Sequence, residues 1–257
     1  MIVLEKHVPI VRPEVAIVDF DGTISKLRAG WDIIMRDLMV EMIPGDKAEI
    51  KPLADAYVDE SAGIPTIRQM DWLAEQVAAR GGEHRSAVFY KQEFAARMML
   101  EVNRRKAAIF SGEEPAEKYR VPGTIAFLKA LRAAGVPIIL ASGTDENDVR
   151  SEANALGVDT LFDEIHGADP VADYCAKEET IRRVAGSVKK MLVAGDGKAE
   201  IVMGREVGAV TLGVASWDSF DFPDEGMNPQ KEKRLIQAGA HAVTADYRNL
   251  EELLHWI

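Results

Sequence analysis

Cysteine is almost missing from this chain of 257 residues: Cys175 stands alone. One thiol makes neither an internal disulfide nor a cysteine-based zinc site, and the scarcity fits a reducing, cytoplasmic setting. Long apolar runs are missing as well. No stretch reaches the roughly 18 residues that a spanning helix needs, so no membrane partner is expected. The opening residues MIVLEKHVPIVRPE have no basic region ahead of a long apolar stretch and no small-residue cleavage site, so a secretory signal is not expected. Positive charge is in deficit, with 31 Lys and Arg against 42 Asp and Glu and a net charge of −11. A general nucleic-acid binder needs concentrated positive charge to displace counterions, so that class is set aside. Repeats with periods of roughly 20–50 residues and low-complexity tracts are absent too. What is present is 47% hydrophobic and 28% charged residues, the balance of a globular chain with ample core. At about 100–200 residues per domain, the length suits one large domain or two modest ones, expected as a monomer or homodimer.

Short apolar runs recur, each ending in small or acidic residues. Val15–Val18 ends at Asp19, and Val136–Leu140 at Ala141-Ser142-Gly143. Met191–Ala194 ends at Gly195-Asp196-Gly197, Ala209–Val214 is a fourth run, and His241–Thr244 a weaker fifth. Continuous apolar runs of this length suit strands buried on both faces, as in a parallel sheet. Helical patterns lie between them, at 122–132 before Gly135, 145–156 before Gly157, 177–184, and 200–207 before Gly208. Alternating strands and helices predict a doubly wound, mostly parallel α/β sheet of the Rossmann-like kind. In such sheets the ligand crevice lies at the carboxyl ends of the strands.

From about residue 25 to 120 no strand pattern occurs. Helical spacing covers 31–43, 47–60, 64–80 and 86–110, broken at Pro44-Gly45, Gly63 and Gly81-Gly82. The expected organisation is therefore a core of 1–24 and 121–257 with an inserted all-helical cap of 25–120, a segment suited to excluding water from a crevice. Within it Arg28, Trp31, Arg68, Gln69 and Arg97 are candidates to meet a substrate, Arg28 and Arg68 first among them. A solvated charge, or a packed face for Trp31, is the plainer reading of each. Met35, Met39, Met42, Met70, Met98 and Met99 read as packing. His84 and His166 are isolated. The segment 216–229 reads as an ordered surface loop.

The chemistry-bearing residues stand at the strand ends. Asp19 and Asp21, spaced by two, point to one side of an extended chain, and Gly22 lets the backbone turn away. Like charges so close need a cation or proton between them, and Mg²⁺, a hard ion that favours carboxylates and phosphate oxygens, fits. An acidic Asp-Gly turn is the plainer alternative. Ser142-Gly143-Thr144 offers a hydroxyl and a backbone N–H at a helix start, either an anion site or an ordinary cap. Lys177 precedes a helical run. Lys189 and Lys190 are rivals, but they lead into the strand at Met191 and so belong at its amino end. Asp196 and Glu200, four apart, would project together if a helix starts between them. Two nucleotide motifs fail here: a dinucleotide fingerprint needs glycine where Glu200 stands, and a P-loop needs glycine at Leu192 and Ser or Thr at Ala199.

Taken in order, Asp-x-Asp-Gly-Thr, then Ser-Gly, then a lysine, then Gly-Asp-Gly with a trailing acid resembles the haloacid dehalogenase superfamily. The resemblance is to its phosphatase branch with a helical cap between the first two motifs, which includes phosphoglycolate phosphatase, phosphoserine phosphatase and beta-phosphoglucomutase-like members. It covers residues 13–25 and 121–215; the cap is similar in placement and helical character only. The resemblance implies Asp19 as nucleophile and Asp21 as general acid and base. It implies Asp19, the backbone carbonyl of Asp21 and Asp196 as Mg²⁺ ligands, with Ser142, Gly143 and Lys177 holding phosphate. Glu200 stands where many members carry Asp and would hold a metal-bound water with a longer reach. The gap from Lys177 to Asp196 is short for this motif pair (196 − 177 = 19). A small phosphorylated metabolite is the implied substrate, a sugar phosphate or a phosphoglycolate-like acid. Asp21 and Asp196 argue against dehalogenation, and Phe20 against a P-type ATPase. A phosphomutase, or a non-catalytic metabolite-binding protein on the same fold, stays open.

Overall fold

The structure of the protein is a computed structural model that describes residues 2–3, 12–61, 64, 66–168, 176–220 and 226–257; Cys175 lies outside the described residues. The chain divides into two compact units, Met1–Leu27 with Lys106–Ile257, and Arg28–Arg105.

The first unit is a sheet of seven strands flanked by helices. The strands are β1 (Ile2–Val3), β2 (Val15–Val18), β3 (Ile138–Asp145), β4 (Glu164–Ala168), β5 (Met191–Gly195), β6 (Val210–Val214) and β7 (Ala242–Thr244), in spatial order β1-β7-β6-β5-β2-β3-β4. Strands β2 to β7 pair in parallel, and β1 joins β7 antiparallel at the edge. The expected doubly wound, mostly parallel architecture with an inserted helical segment is what the chain forms. The apolar runs form strands because both faces of the sheet are covered. Ala16 and Val18 enter one cluster with Phe20, Leu140 and Ala194, while Val15 and Ile17 enter another with Ile139, Val193 and Ile181. Each valine, leucine, isoleucine or phenylalanine buried in this way contributes about 1.5–3 kcal/mol.

The topology positions the site. From β2 the chain winds outward through β3 and β4, then returns to place β5 on the other side of β2. The winding direction reverses between β2 and β5, and a crevice opens at such a switch point outside the carboxyl ends of the strands. Val18 is level with Leu140 on one side and Ala194 on the other, so the residues that follow all three strands meet at one edge.

Three features depart from the sequence reading. Strand β3 runs on past Leu140 to Asp145, its register against β4 shifting between Ala141 and Asp145. Strand β4 had no apolar-run signal, because Glu164 is exposed and only alternate residues are buried. Residues 229–237 form a helix, here α9 of the ten α-helices that the described residues contain. Asn228 caps it, its side chain accepting from the N–H groups of Gln230 and Lys231, and Pro229 follows at the first helical position. Both are strong helix-start signals.

The second unit is helical. It comprises α1 (Trp31–Met42), α2 (Lys47–Ser61) and α3 (Thr66–Ala79), and the second boundary falls inside α4 (Ala87–Ser111). Met35, Leu38, Met39, Ile50, Met70, Leu73 and Tyr90 form its core, with Trp31 packed against them. Gln69 is buried there too, donating to Ser61 Oγ at 3.0 Å, and Arg97 is clamped by both carboxylate oxygens of Glu41 at 2.9 Å. Both are engaged in holding the unit together. Among the described residues no helix is long and apolar enough to cross a membrane.

Candidate active site

Asp19 follows β2 directly, its N–H donating to the Ala194 carbonyl at 2.9 Å. Phe20 turns inward to the core, so Asp19 and Asp21 face the strand-end edge on either side of it. The Phe20 carbonyl then accepts from the N–H groups of Ile24 and Ser25, at 2.8 and 2.9 Å, closing a tight turn. Gly22 sits at its apex with φ of 71°, a left-handed conformation that costs any other L-residue about 1–2 kcal/mol. There is no room for a side chain either: a Cβ at residue 22 would overlap Asp196 Oδ2 and lie 2.9 Å from Lys231 Nζ. The turn therefore packs on the acid that follows β5.

Lys177, in the first turn of α7 (Ala176–Ala185), reaches back over Gly143 to the site. Its ammonium lies 2.9 Å from Asp19 Oδ1 and is hydrogen-bonded to Glu200 Oε1. Lys189 and Lys190 are exposed and lead into the amino end of β5, at the opposite edge of the sheet. Glu200 lies in the first turn of α8 (Lys198–Glu206), whereas Asp196 precedes the Gly197 cap. The expected shared helical face is thus corrected: Glu200 folds back toward the strand end, its carboxylate where a side chain at Gly197 would sit and its Cβ and Cγ 3.0 Å from where one at Gly195 would. A side chain at Gly197 would overlap Glu200 Oε2 at 2.5 Å and displace it.

Asp19 is 4% exposed. Burial, above all, pushes its carboxyl well above the usual carboxylate range; Lys177 opposes this, while Glu200 and Asp196 add to it. For Lys177, burial alone would favour the neutral amine, but Asp19 and Glu200 more than reverse that, and the ammonium is held well above the ordinary lysine value. Two buried carboxylates thus share one ammonium, with Asp196 adjacent. An additional cation would relieve the excess. Asp19 and Asp196 offer hard oxygen donors on either side of the turn, and the Asp21 carbonyl is the third donor that the family pattern implies. This set fits Mg²⁺, which takes one or two carboxylates and fills the rest with water and phosphate oxygens. A cage of three or more acidic, histidine or cysteine side chains, which the described residues do not form, is not needed for it.

Ser142, 1% exposed, uses its Oγ to accept the Thr144 N–H at 3.1 Å, so it braces the turn it opens. The neighbouring Thr144 hydroxyl donates to Asp21 Oδ2 at 2.8 Å, a contact that sequence reasoning missed. Its signal was the hydroxyl two residues beyond Ser142 in a strand-end motif.

Residues 13–208 match the family profile of haloacid dehalogenase-like hydrolases, about three quarters of the chain. The chain belongs to this family. No curated protein matches its sequence. Among solved structures it is similar to a haloacid dehalogenase-like family hydrolase from Streptococcus pneumoniae, at 17% identity and a TM-score of 0.61, covering 96% of this chain and 99% of that one. A Haemophilus somnus protein described as a predicted phosphoglycolate phosphatase gives 16% and 0.56, covering 95% and 98%. A Thermotoga maritima protein provisionally named beta-phosphoglucomutase gives 18% and 0.56, covering 93% and 97%. At such identities the likeness is one of fold.

Arg28 and Arg68 belong to the helical unit. Arg28 is half-buried, with Nη2 3.7 Å from Met99 Sδ, and Arg68 is exposed, 3.3 Å from Asp71. Sequence reasoning also missed Lys231, whose ammonium is 2.6 Å from Asp196 Oδ2 and 2.7 Å from Asp218 Oδ1. Burial alone would lower it, but Asp196 and then Asp218 hold it above the ordinary lysine range.

Proposed function

We propose that the protein is a Mg²⁺-dependent phosphomonoester hydrolase that acts on a small phosphorylated metabolite through an aspartyl-phosphate at Asp19. The observation that carries this reading is the buried Asp19 carboxylate, ion-paired to Lys177 at 2.9 Å at the edge where β2, β3 and β5 end. Phosphoryl transfer asks mainly for positioning and charge stabilisation, and this edge carries carboxylates, an ammonium and the Ser142 and Thr144 hydroxyls that suit it.

An Asp19 oxygen attacks phosphorus and forms the acyl phosphate while the bond to the leaving alcohol breaks. Asp21, held by Thr144, gives its proton to that alcohol. The Asp21 carboxylate then takes a proton from water, whose oxygen attacks phosphorus and releases Asp19 with inorganic phosphate. Lys177, the Ser142 hydroxyl and the Gly143 N–H hold the phosphoryl oxygens, and Glu200 fixes the Lys177 ammonium from behind. Mg²⁺, bound by Asp19, the Asp21 carbonyl and Asp196, would offset the charge of carboxylate and phosphate as they approach. That local charge lets a chain of net −11 accept an anion. Residues 25–120 are assigned to the cap and 1–24 with 121–257 to the catalytic core, with Arg28 and Arg68 as candidates for substrate recognition and a cytoplasmic site of action.

The test is a panel of phosphorylated metabolites assayed for free phosphate with and without Mg²⁺, on the native protein and on Asp19→Asn. Metal-dependent release that vanishes in the variant is expected. Turnover that survives the substitution overturns the reading, and an isomerised sugar phosphate in place of free phosphate redirects it to a mutase.

A further inference from the structure

The chemistry above leaves Lys231 without a task, although it is among the most buried charges at the aspartate turn. Its side chain is 3% exposed, in the first turn of α9, where the Asn228 cap fixes the backbone. The ammonium contacts Asp196 Oδ2 and Asp218 Oδ1 and lies 3.5 Å from Ser216 Oγ, which itself donates to the Gly22 carbonyl. The backbone of Gly22 packs against the same Asp196 oxygen. Oδ2 of Asp196 is therefore enclosed between a glycine and an ammonium, and Oδ1 is the oxygen left to face a cation.

We propose that Lys231 is a positioning residue that sets ion selectivity, holding Asp196 as a one-oxygen ligand and so favouring Mg²⁺ over Ca²⁺. The proposal rests on the reading of Asp196 as a metal ligand. Mg²⁺ demands six close, octahedral oxygens and is satisfied by single carboxylate oxygens, whereas Ca²⁺ takes six to eight at longer range and often both oxygens of one carboxylate. A carboxylate with one oxygen held in a buried ion pair cannot turn to offer both without breaking that pair and leaving the ammonium to Asp218 alone, which is costly. The ammonium also repels every cation, so the ratio of affinities, not either affinity alone, reports the role.

The test is calorimetric titration of the native protein, Lys231→Met and Asp218→Asn with MgCl₂ and with CaCl₂. In Lys231→Met both Asp196 oxygens come free, and the preference should shift toward Ca²⁺ by about tenfold. Asp218→Asn keeps the Lys231–Asp196 pair and should keep the native ratio. A merely structural role for Lys231 would weaken both ions alike, and an unchanged ratio in Lys231→Met overturns the proposal. Should that variant not fold, the native protein decides through its infrared carboxylate bands, with ¹³C-labelled aspartate and added Ca²⁺. A one-oxygen signature is expected, and a two-oxygen band overturns it. If the native protein binds neither ion, the Mg²⁺ reading falls and this proposal with it; binding with an unshifted ratio sinks the selectivity role alone.

Discussion

Asp196 fills the space that a side chain at Gly22 would need, although 174 residues separate the two (196 − 22 = 174). The first and last motifs are thus fitted to each other through a missing Cβ. Gly22→Ala adds a methyl group that overlaps Asp196 Oδ2 and forces a left-handed conformation on an L-residue. The conformational term alone costs about 1–2 kcal/mol, and Asp196 must also move away from its ion pair with Lys231. The expected result is a lower melting temperature together with a drop in kcat of at least about a hundredfold, the loss reported for misplacements of about 1 Å in a reacting constellation. Thermal melts and steady-state kinetics on the same preparation check it, and an active variant with only lowered stability would show that Asp196 need not sit where it does.

Lys177 holds two buried acids at once, and removing it leaves both uncompensated. Breaking a buried ion pair on one side typically costs about 3–5 kcal/mol, so Lys177→Met is expected to lose stability on that scale in urea unfolding at pH 7. The sign with pH follows from the raised ammonium. Its contribution is complete below the ordinary lysine value of about 10.4 and fades as pH rises from there through the folded value. The gap between native and variant protein should therefore be constant from pH 7 to 9 and narrow in more alkaline solution.

The legible part of this chain was the part in which local pattern and tertiary role coincide. Val15–Val18 and Met191–Ala194 are apolar throughout because both faces of those strands are covered, and a continuous apolar run is what that burial demands. The four cap helices kept their spacing for the same reason, with Met35, Met39 and Met70 on one buried side. Strand β4 was not legible because Glu164 faces solvent and Gly167 packs on the backbone of Glu146, so Ile165 is the one large apolar residue on its buried side. At the site, order along the chain pointed to Asp19, Asp21, Ser142 and Asp196; local pattern set Lys189 and Lys190 aside in favour of Lys177, but nothing local marked Lys231. A lysine near a helix start is ordinarily a solvated charge, and Lys177 and Lys231 differ from that norm through acids distant in sequence, Asp19 and Glu200 for the one and Asp196 and Asp218 for the other. The Asn228-Pro229 helix start was readable and would have put Lys231 on a helix, though not against Asp196.

Asp19 carries the same sign with pH, at the acid end of the range. Its carboxyl is raised above the ordinary value, chiefly by burial, so the folded state holds its proton more tightly than the unfolded state does. Stability should then fall as pH rises from about 3.9, the ordinary aspartate value, through the folded value, and the ionised form is a standing cost at neutral pH. Asp19→Asn removes that cost while keeping the shape. With no divalent cation added, it is expected to melt about 2–4 °C above the native protein at pH 7, the shift that ~1 kcal/mol gives in a chain of this size. The advantage should shrink as the pH approaches 4. Melting curves across that range decide it, and a variant less stable than native at pH 7 would mean that the Lys177 pair outweighs the desolvation of Asp19.

Thr144 separates positioning from chemistry. Its hydroxyl is 2.8 Å from Asp21 Oδ2, and in the mechanism proposed above Asp21 releases a proton in one step and recovers one in the next. A side chain held in one orientation does both without a search. Thr144→Val keeps the shape and removes the donor, at about 1.5–3 kcal/mol for a hydrogen bond to a charged group, which corresponds to a kcat lower by about ten- to a hundredfold. KM should change little, since Thr144 is given no contact with phosphate, and Thr144→Ser, which retains the hydroxyl, should recover most of the rate. A Val variant with native kcat, or a Ser variant as slow as Val, would detach Thr144 from the reaction and leave Asp21 to be oriented by the turn alone.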